Sequence, residues 1–96
     1  MPLFIIAQFH AKPGCEQALI ATLRTVVEPT RDEPGCIEIH VFQALRDGAT
    51  FFIQSKWAAE ADFELHAELP HTQRFLNQVP NLIDNEFRAV RCVPIA

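Results

Sequence analysis

Five short breaks containing proline or glycine divide this 96-residue chain into segments, each with its own hydrophobic periodicity. They fall at residues 12–14, 33–35, 46–48, 69–70 and 79–81. Because Pro and Gly interrupt regular helices and strands, each segment can be interpreted separately. A chain of this length has room for one hydrophobic core, so residues 1–96 are predicted to form a single domain.

The first two segments predict a strand followed by a helix. Residues 3–11 begin with the run Leu-Phe-Ile-Ile-Ala, which predicts a central strand covered on both faces. In residues 15–32 the apolar side chains recur at helical spacing, which predicts an amphipathic helix. Its apolar positions are Ala18, Leu19, Leu23, Val26 and Val27, and its water-facing positions include Gln17, Arg24 and Glu28.

The next segments predict a β-hairpin. Residues 36–45 alternate, with Ile37, Ile39 and Val41 on one face and Glu38, His40 and Phe42 on the other. Residues 46–48 form the predicted connection, in which Gly48 supplies a positive φ. Residues 51–57 are the predicted partner strand.

The remaining segments complete a recognisable order of elements. Residues 59–67 predict a short helix, and Pro70 begins another that runs through Phe75, Leu76 and Val79. Residues 83–93 predict a strand at a sheet edge. The order β-α-β-β-α-β is that of the α+β, ferredoxin-like split βαβ fold with an antiparallel sheet. Its helices cover one sheet face, and the apolar groups on the other, including Phe42, predict a homodimer with sheets packed face to face.

Composition excludes several classes of partner. Eight Lys and Arg against 12 Asp and Glu give a net charge of −4, which argues against nucleic-acid binding. Apolar runs stay well below the roughly 20 residues that a bilayer span needs, and we expect no secretion signal. The thiols Cys15, Cys36 and Cys92 lack a C-x-x-C pair, which indicates free structural cysteines in a reducing cytoplasm.

His66 is the main candidate for chemistry. It shares one predicted helix face with Ala59 and Phe63, which places its imidazole between helix and sheet. One interpretation is a structural histidine satisfied by a backbone carbonyl near Pro70. The other is a general base in a closed apolar pocket. Trp57, at the end of the third strand, is either core or a flat wall for an aromatic substrate.

The other histidines predict no metal site. His71 lies five residues after His66, about 140° around a helix, so the two do not form the i, i+4 pair of an H-E-x-x-H motif. We therefore expect His71 to pack locally or to cap a helix. His10 and His40 are expected to be structural or solvent-facing.

Several short motifs resemble a known family. They are Lys-Pro-Gly at residues 12–14, Arg-Asp-Glu-Pro-Gly-Cys at 31–36, Trp57, Phe-Glu-Leu-His at 63–66 and Pro-His at 70–71. In this order and spacing they resemble the antibiotic biosynthesis monooxygenase (ABM) domain family, which includes small quinol monooxygenases. The resemblance implies a dimeric α+β barrel. It also implies cofactor-independent oxidation of a small aromatic substrate, a quinol or polycyclic phenol, by O2.

The resemblance also implies roles for individual residues. His66 would be the proton acceptor or orienting group. The substrate-binding residues would be Trp57, Phe63, Leu65, Phe75 and Leu76, with no cofactor and no metal. The chain departs from the family at Ile39, often a tyrosine, and at Ser55, often acidic.

Three alternative functions stay open from the sequence. One is a non-enzymatic, dimeric ligand-binding or stress-related module in which His66 is structural. Another is an isomerase of a small phosphorylated signal molecule, for which Arg88 and Arg91 are the nearby cations. The last is haem binding through His66 or His71.

Overall fold

The computed structural model describes residues 2–96 and confirms the β-α-β-β-α-β order. The elements are β1 (Leu3–His10), α1 (Glu16–Arg31), β2 (Cys36–Ala44), β3 (Asp47–Trp57), α2 (Glu60–Glu68), α3 (Pro70–Gln78), a 3-10 turn (Val79–Asn81) and β4 (Ala89–Cys92). The second helical segment of the motif is thus split at Pro70, whose ring cannot continue α2 but fits the first turn of α3.

The four strands form one antiparallel sheet in the order β2-β3-β1-β4. β1 is therefore central, as predicted. Its side chains alternate between the two faces, and Ile5 and Phe9 are buried on the helix-covered face. The expectation that both faces of β1 are covered does not hold within one chain, because the helices lie on one face only and Ile6 on the other is 44% exposed.

α1 packs on the sheet through its predicted apolar stripe. Leu19, Leu23, Val26 and Val27 are buried in the main core. Ala18 is exposed, which corrects its assignment to this stripe. One residue along a helix is a rotation of about 100°, so Ala18 turns away when its neighbour Leu19 points inward.

A β-bulge changes the predicted alternation of β2. Cys36 pairs with Trp57 and Glu38 pairs with Lys56, so Ile37 is an extra residue on this strand. Ile37 is 53% exposed and does not share the inward face of Ile39. The prediction is wrong there because a bulge resets the two-residue period, which the sequence does not reveal.

The hairpin turn lies earlier than predicted. Leu45 and Arg46 form the turn, β3 already begins at Asp47, and Gly48 has no positive φ. The side chain of Asp47 accepts hydrogen bonds from the Ala49 N–H and the Thr50 hydroxyl. These bonds shape the start of β3 and hold the pKa of the Asp47 carboxyl below its usual range.

The last strand is shorter than predicted. Only Ala89–Cys92 pairs along β1 as the edge strand, and Ile83 makes an isolated bridge to Ala11. Between them, the Phe87 ring packs with its centroid 4.5 Å from that of Phe9. The residues around Phe87 therefore do not pair with β1, and the side chain of Phe87 packs against the core instead.

Gly35 brings the loop before β2 close to the start of α2. A Cβ atom at residue 35 would overlap the Cβ and Cγ atoms of Asp62. We predict that Gly35→Ala lowers the free energy of unfolding by about 1–3 kcal/mol, as overpacking does. Gly48→Ala is the matched control, because its added methyl meets only an ordinary contact at 3.6 Å. Chemical denaturation measures both, and equal stability of the two variants would contradict the close packing at Gly35.

None of the helices among residues 2–96 combines the length and the apolar character needed to cross a bilayer.

Candidate active site

A mainly apolar cavity of about 120 Å³ lies between the sheet and the helices α2 and α3. Among the described residues, its only polar lining side chains are Ser55, His66 and Thr72. The apolar lining comes from Ile5, Ala7, Phe9, Val26, Ile39, Ile53, Phe63, Ala67, Phe75, Leu76, Phe87 and Ala89. A cavity of this kind orients an apolar ligand through very few polar groups.

His66 reaches the cavity from the last turn of α2. The residue is 9% exposed, and its ring centroid lies 4.9 Å from that of Trp57 and 5.8 Å from that of Phe63. Its Nδ1 atom is 2.6 Å from Oε2 of Glu33 and 3.2 Å from Oγ1 of Thr72. The side-chain partner of His66 is therefore a carboxylate, and not the backbone carbonyl that the structural interpretation expected.

Glu33 also contacts His71. The same Oε2 atom lies 2.8 Å from Nε2 of His71, so one carboxylate oxygen joins two imidazoles. The side chains of Glu33, His66 and His71 are only 10%, 11% and 15% exposed. His71 thus belongs to a buried polar network and is not a helix cap.

Glu33 is not among the site residues predicted from the sequence, although it lies in the Arg-Asp-Glu-Pro-Gly-Cys motif at residues 31–36. Two backbone hydrogen bonds hold the loop that contains Glu33. The N–H of Glu33 donates to Thr30 O, and the N–H of Cys36 donates to Glu33 O. The N–H of Ala58 donates to Gly35 O, which ties this loop to the end of β3 where α2 begins. The predicted pairing of the second and third strands was the signal that could have placed Glu33 near the start of α2.

The same three residues are the donor set that a divalent transition metal prefers. One atom from each of Glu33, His66 and His71 lies within 4.8 Å of the others. Ligands at 2.0–2.2 Å from a metal are separated by roughly 3.0–3.4 Å for octahedral or tetrahedral geometry. The observed 2.6 and 2.8 Å separations are hydrogen-bond distances, so in this structure the three side chains form a hydrogen-bonded network, and the two imidazoles would have to move away from the carboxylate oxygen to share a metal with it.

The structure brings together only some of the predicted substrate-binding residues. Phe63, Phe75 and Leu76 line the cavity. Leu65 does not, which is a correction: it follows Glu64 on the solvent side of α2 and is 59% exposed. Adjacent positions on a helix differ by about 100°, so Leu65 cannot share the inward direction of His66.

Trp57 packs against His66 and does not line the cavity. Its side chain is completely buried, and its Nε1–H donates to Oγ of Ser55 at 2.9 Å. Ser55, one of the two departures from the family pattern, therefore has a defined role as acceptor for this indole. The other departure, Ile39, contributes an apolar wall.

The arginines considered for a phosphorylated substrate lie outside the cavity. Arg91 forms ion pairs with Glu60 and Glu64, and its guanidinium stands 5.3 Å from the Phe63 ring centroid. Its hydrogen bond to Glu60 raises the pKa of Arg91. Arg88 borders a groove on the other sheet face. The cavity lining thus has no Lys or Arg among the described residues to hold a phosphate group, which disfavours the isomerase hypothesis.

Cys36 is a free, partly buried thiol. Burial, and to a smaller extent the charge of Glu33, raise the pKa of its thiol. A raised pKa lowers the fraction of nucleophilic thiolate at neutral pH.

Comparison with known proteins places the chain in a family. Residues 2–78 match the model of the family described as antibiotic biosynthesis monooxygenase. The chain belongs to the ABM family. Among solved structures, that of Rv0793 from Mycobacterium tuberculosis superimposes with a TM-score of 0.93 at 25% identity and covers 100% of this chain and 97% of that one. PA3566 from Pseudomonas aeruginosa superimposes with a TM-score of 0.91 at 32% identity, over 99% and 95% of the two chains.

Sequence relatives of this ABM chain have more than one length. The Mycobacterium tuberculosis protein named "Putative monooxygenase Rv0793" is 26% identical over 94 residues, which cover 98% of this chain and 92% of that protein. The protein sll1783 from Synechocystis is 27% identical over 82 residues. Those residues are 85% of this chain but only 56% of the Synechocystis protein, so this chain spans little more than half of that relative.

Proposed function

We propose that this protein is a monooxygenase that oxidises a phenol or quinol ring with O2 without a cofactor, and that His66 accepts the phenolic proton. The observation that carries the proposal is the position of one buried imidazole at a mainly apolar cavity of ring size. Membership of the ABM family supports the class of reaction.

The proposed reaction starts with proton transfer. An imidazole within hydrogen-bond reach of a phenol takes its proton, and the resulting phenolate is electron-rich enough to reduce O2. One oxygen atom forms a new bond to a ring carbon and becomes the second carbonyl of a quinone. The other leaves as water with the former ring hydrogen and the phenolic hydrogen. One phenol and one O2 thus give one quinone and one water, and by the same step one quinol and one O2 give one hydroxyquinone and one water.

The cavity supplies the conditions that this chemistry needs. Phe63, Phe75 and Phe87 hold a ring by aromatic contact, and the apolar lining excludes water from the phenolate. The volume of about 120 Å³ is similar to the roughly 150 Å³ cavity that holds benzene in an engineered protein core. The cavity therefore has room for one ring. A second ring would have to extend past Leu76, which lines the cavity and is 38% exposed.

O2 uptake by chelator-treated protein tests the proposal. The substrates are one-ring hydroquinones, naphthoquinols and polycyclic phenols, with autoxidation measured in parallel. His40→Gln is the matched control for replacement of His66 by glutamine, since His40 lies on β2 and is exposed. We expect uptake above autoxidation in the parent and in this control. Uptake equal to autoxidation across the whole panel would contradict an oxidative function and leave a ligand-binding module as the better account.

We further propose that the protein acts as a homodimer. The sheet face opposite the helices carries Ile6, Phe42, Phe52 and Val90, of which Ile6, Phe42 and Val90 are 44%, 49% and 50% exposed. Ile6 pairs with Val90 and Phe42 with Phe52, so all four side chains lie on this face. A second copy of the same face would bury them.

We predict a particle of about twice 10.9 kDa in light scattering. Phe52→Glu should convert it to a monomer, because two like charges would meet in the apolar interface. Gln17→Glu, on the exposed side of α1, should leave the mass unchanged. A monomeric parent protein would rule out the proposed sheet-face dimer.

A further inference from the structure

We infer that Glu33 is a positioning residue that holds His66 in the tautomer protonated at Nδ1, so that Nε2 presents its lone pair to the cavity. His71 completes the arrangement by donating to the same carboxylate oxygen. The catalytic meaning of this inference rests on the proposed function, whereas the tautomer itself does not.

The carboxylate of Glu33 selects the tautomer. An ionised carboxylate only accepts hydrogen bonds, so the nitrogens 2.6 and 2.8 Å from Oε2 must both carry protons. These are Nδ1 of His66 and Nε2 of His71. A carboxylate that is 10% exposed needs such donors, because a buried charge without hydrogen bonds is strongly unfavourable.

The other ring nitrogen of His66, Nε2, is available to accept a proton from a substrate. Among residues 2–96, Nε2 of His66 has no hydrogen-bond partner. In the same residues every fully buried side-chain nitrogen and oxygen has a partner, so an atom without one is not fully buried. Nε2 therefore keeps accessible surface, and we assign that surface to the cavity, which His66 lines. A proton taken up at Nε2 gives an imidazolium whose Nδ1–H remains hydrogen-bonded to the Glu33 carboxylate, which stabilises the new charge.

Thr72 offers the competing arrangement. Its hydroxyl lies 3.2 Å from Nδ1 of His66 and could donate to that atom if Nδ1 carried no proton. His66 would then be protonated at Nε2 and could not accept a proton from a substrate in the cavity. The much shorter contact to Glu33, at 2.6 Å, favours the arrangement with Nδ1–H.

Nitrogen-15 NMR of the histidine rings distinguishes the two tautomers, and the rate of O2 uptake is measured on the same variants. We expect His66 of the parent to be protonated at Nδ1, and Glu33→Gln to disturb this state because its amide can donate as well as accept. We expect kcat in this variant to fall about 10- to 100-fold with KM nearly unchanged. Glu28→Gln is the control, since Glu28 is an exposed carboxylate near the end of α1. It should keep the parental spectrum and kcat.

Three results would overturn the inference. The first is a parent His66 protonated at Nε2. The second is a Glu33→Gln variant with the parental tautomer and the parental kcat. The third is one equivalent of a transition metal in the purified protein that Glu33→Gln loses, because the three side chains would then be ligands. If the parent consumes no O2 but its His66 carries the Nδ1 proton, the proposed function fails while the positioning by Glu33 stands.

Discussion

Replacement of His66 by glutamine is expected to lower kcat for phenol oxidation by about 10²- to 10⁴-fold, the usual contribution of a general base. Glutamine can still donate an N–H to Glu33, which lies 2.6 Å from the imidazole in the parent. It cannot accept a proton from a phenol at neutral pH. Initial rates of O2 uptake under saturating substrate measure the loss.

Stability measurements separate this chemical effect from unfolding. His66→Gln keeps a side chain of similar size against Trp57, so its thermal midpoint should stay near that of the parent. His40→Gln should retain both the rate and the midpoint, because His40 is exposed on β2. A folded His66→Gln variant that oxidises phenols at the parental rate would remove His66 from the proposed mechanism.

Replacement of Trp57 by alanine is expected to lower the free energy of unfolding by about 3–5 kcal/mol. Trp57 is completely buried, forms a small core cluster with Leu3 and Ile5, and packs against Phe63 and His66. Its loss leaves a large cavity and an unpaired Ser55 hydroxyl acceptor. A domain of this size is stabilised by only about 5–15 kcal/mol in total, so the variant should be close to unfolding.

Trp57→Phe provides the matched comparison. Phenylalanine keeps most of the buried ring and loses the indole N–H that donates to Ser55. Urea denaturation should therefore show a smaller loss of stability than for Trp57→Ala. If the free energy of unfolding of the alanine variant lies within about 1 kcal/mol of the parental value, Trp57 does not have the structural role assigned to it here.

The order of helices and strands could be predicted because it depends on local periodicity. Leu19, Leu23 and Val26 recur at helical spacing, and the breaks at proline and glycine separate the segments. The details that failed depend on contacts between segments. Neither the bulge that exposes Ile37 nor the inward turn of Phe87 leaves a periodic signal in the sequence.

The candidate site was only half predictable for the same reason. His66 could be placed by its spacing from Phe63 on one helix. Its partner Glu33 lies 33 residues earlier in a loop, and the pairing of Cys36 with Trp57 and the hydrogen bond from the Ala58 N–H to Gly35 O bring that loop to α2. The helix angle between His66 and His71 holds only if one helix contains both residues, whereas α2 ends at Glu68 and α3 begins at Pro70.

Incorporation of labelled oxygen tests the central claim most directly. Chelator-treated protein would oxidise a one-ring phenol under ¹⁸O2, with rapid reduction of the quinone so that its carbonyl oxygens do not exchange with water. The proposed reaction predicts one ¹⁸O atom in each product molecule, and formation of that product by His66→Gln about 10²- to 10⁴-fold more slowly than by the parent. A product without ¹⁸O from the parent protein would contradict the claim that this cavity carries out a monooxygenase reaction.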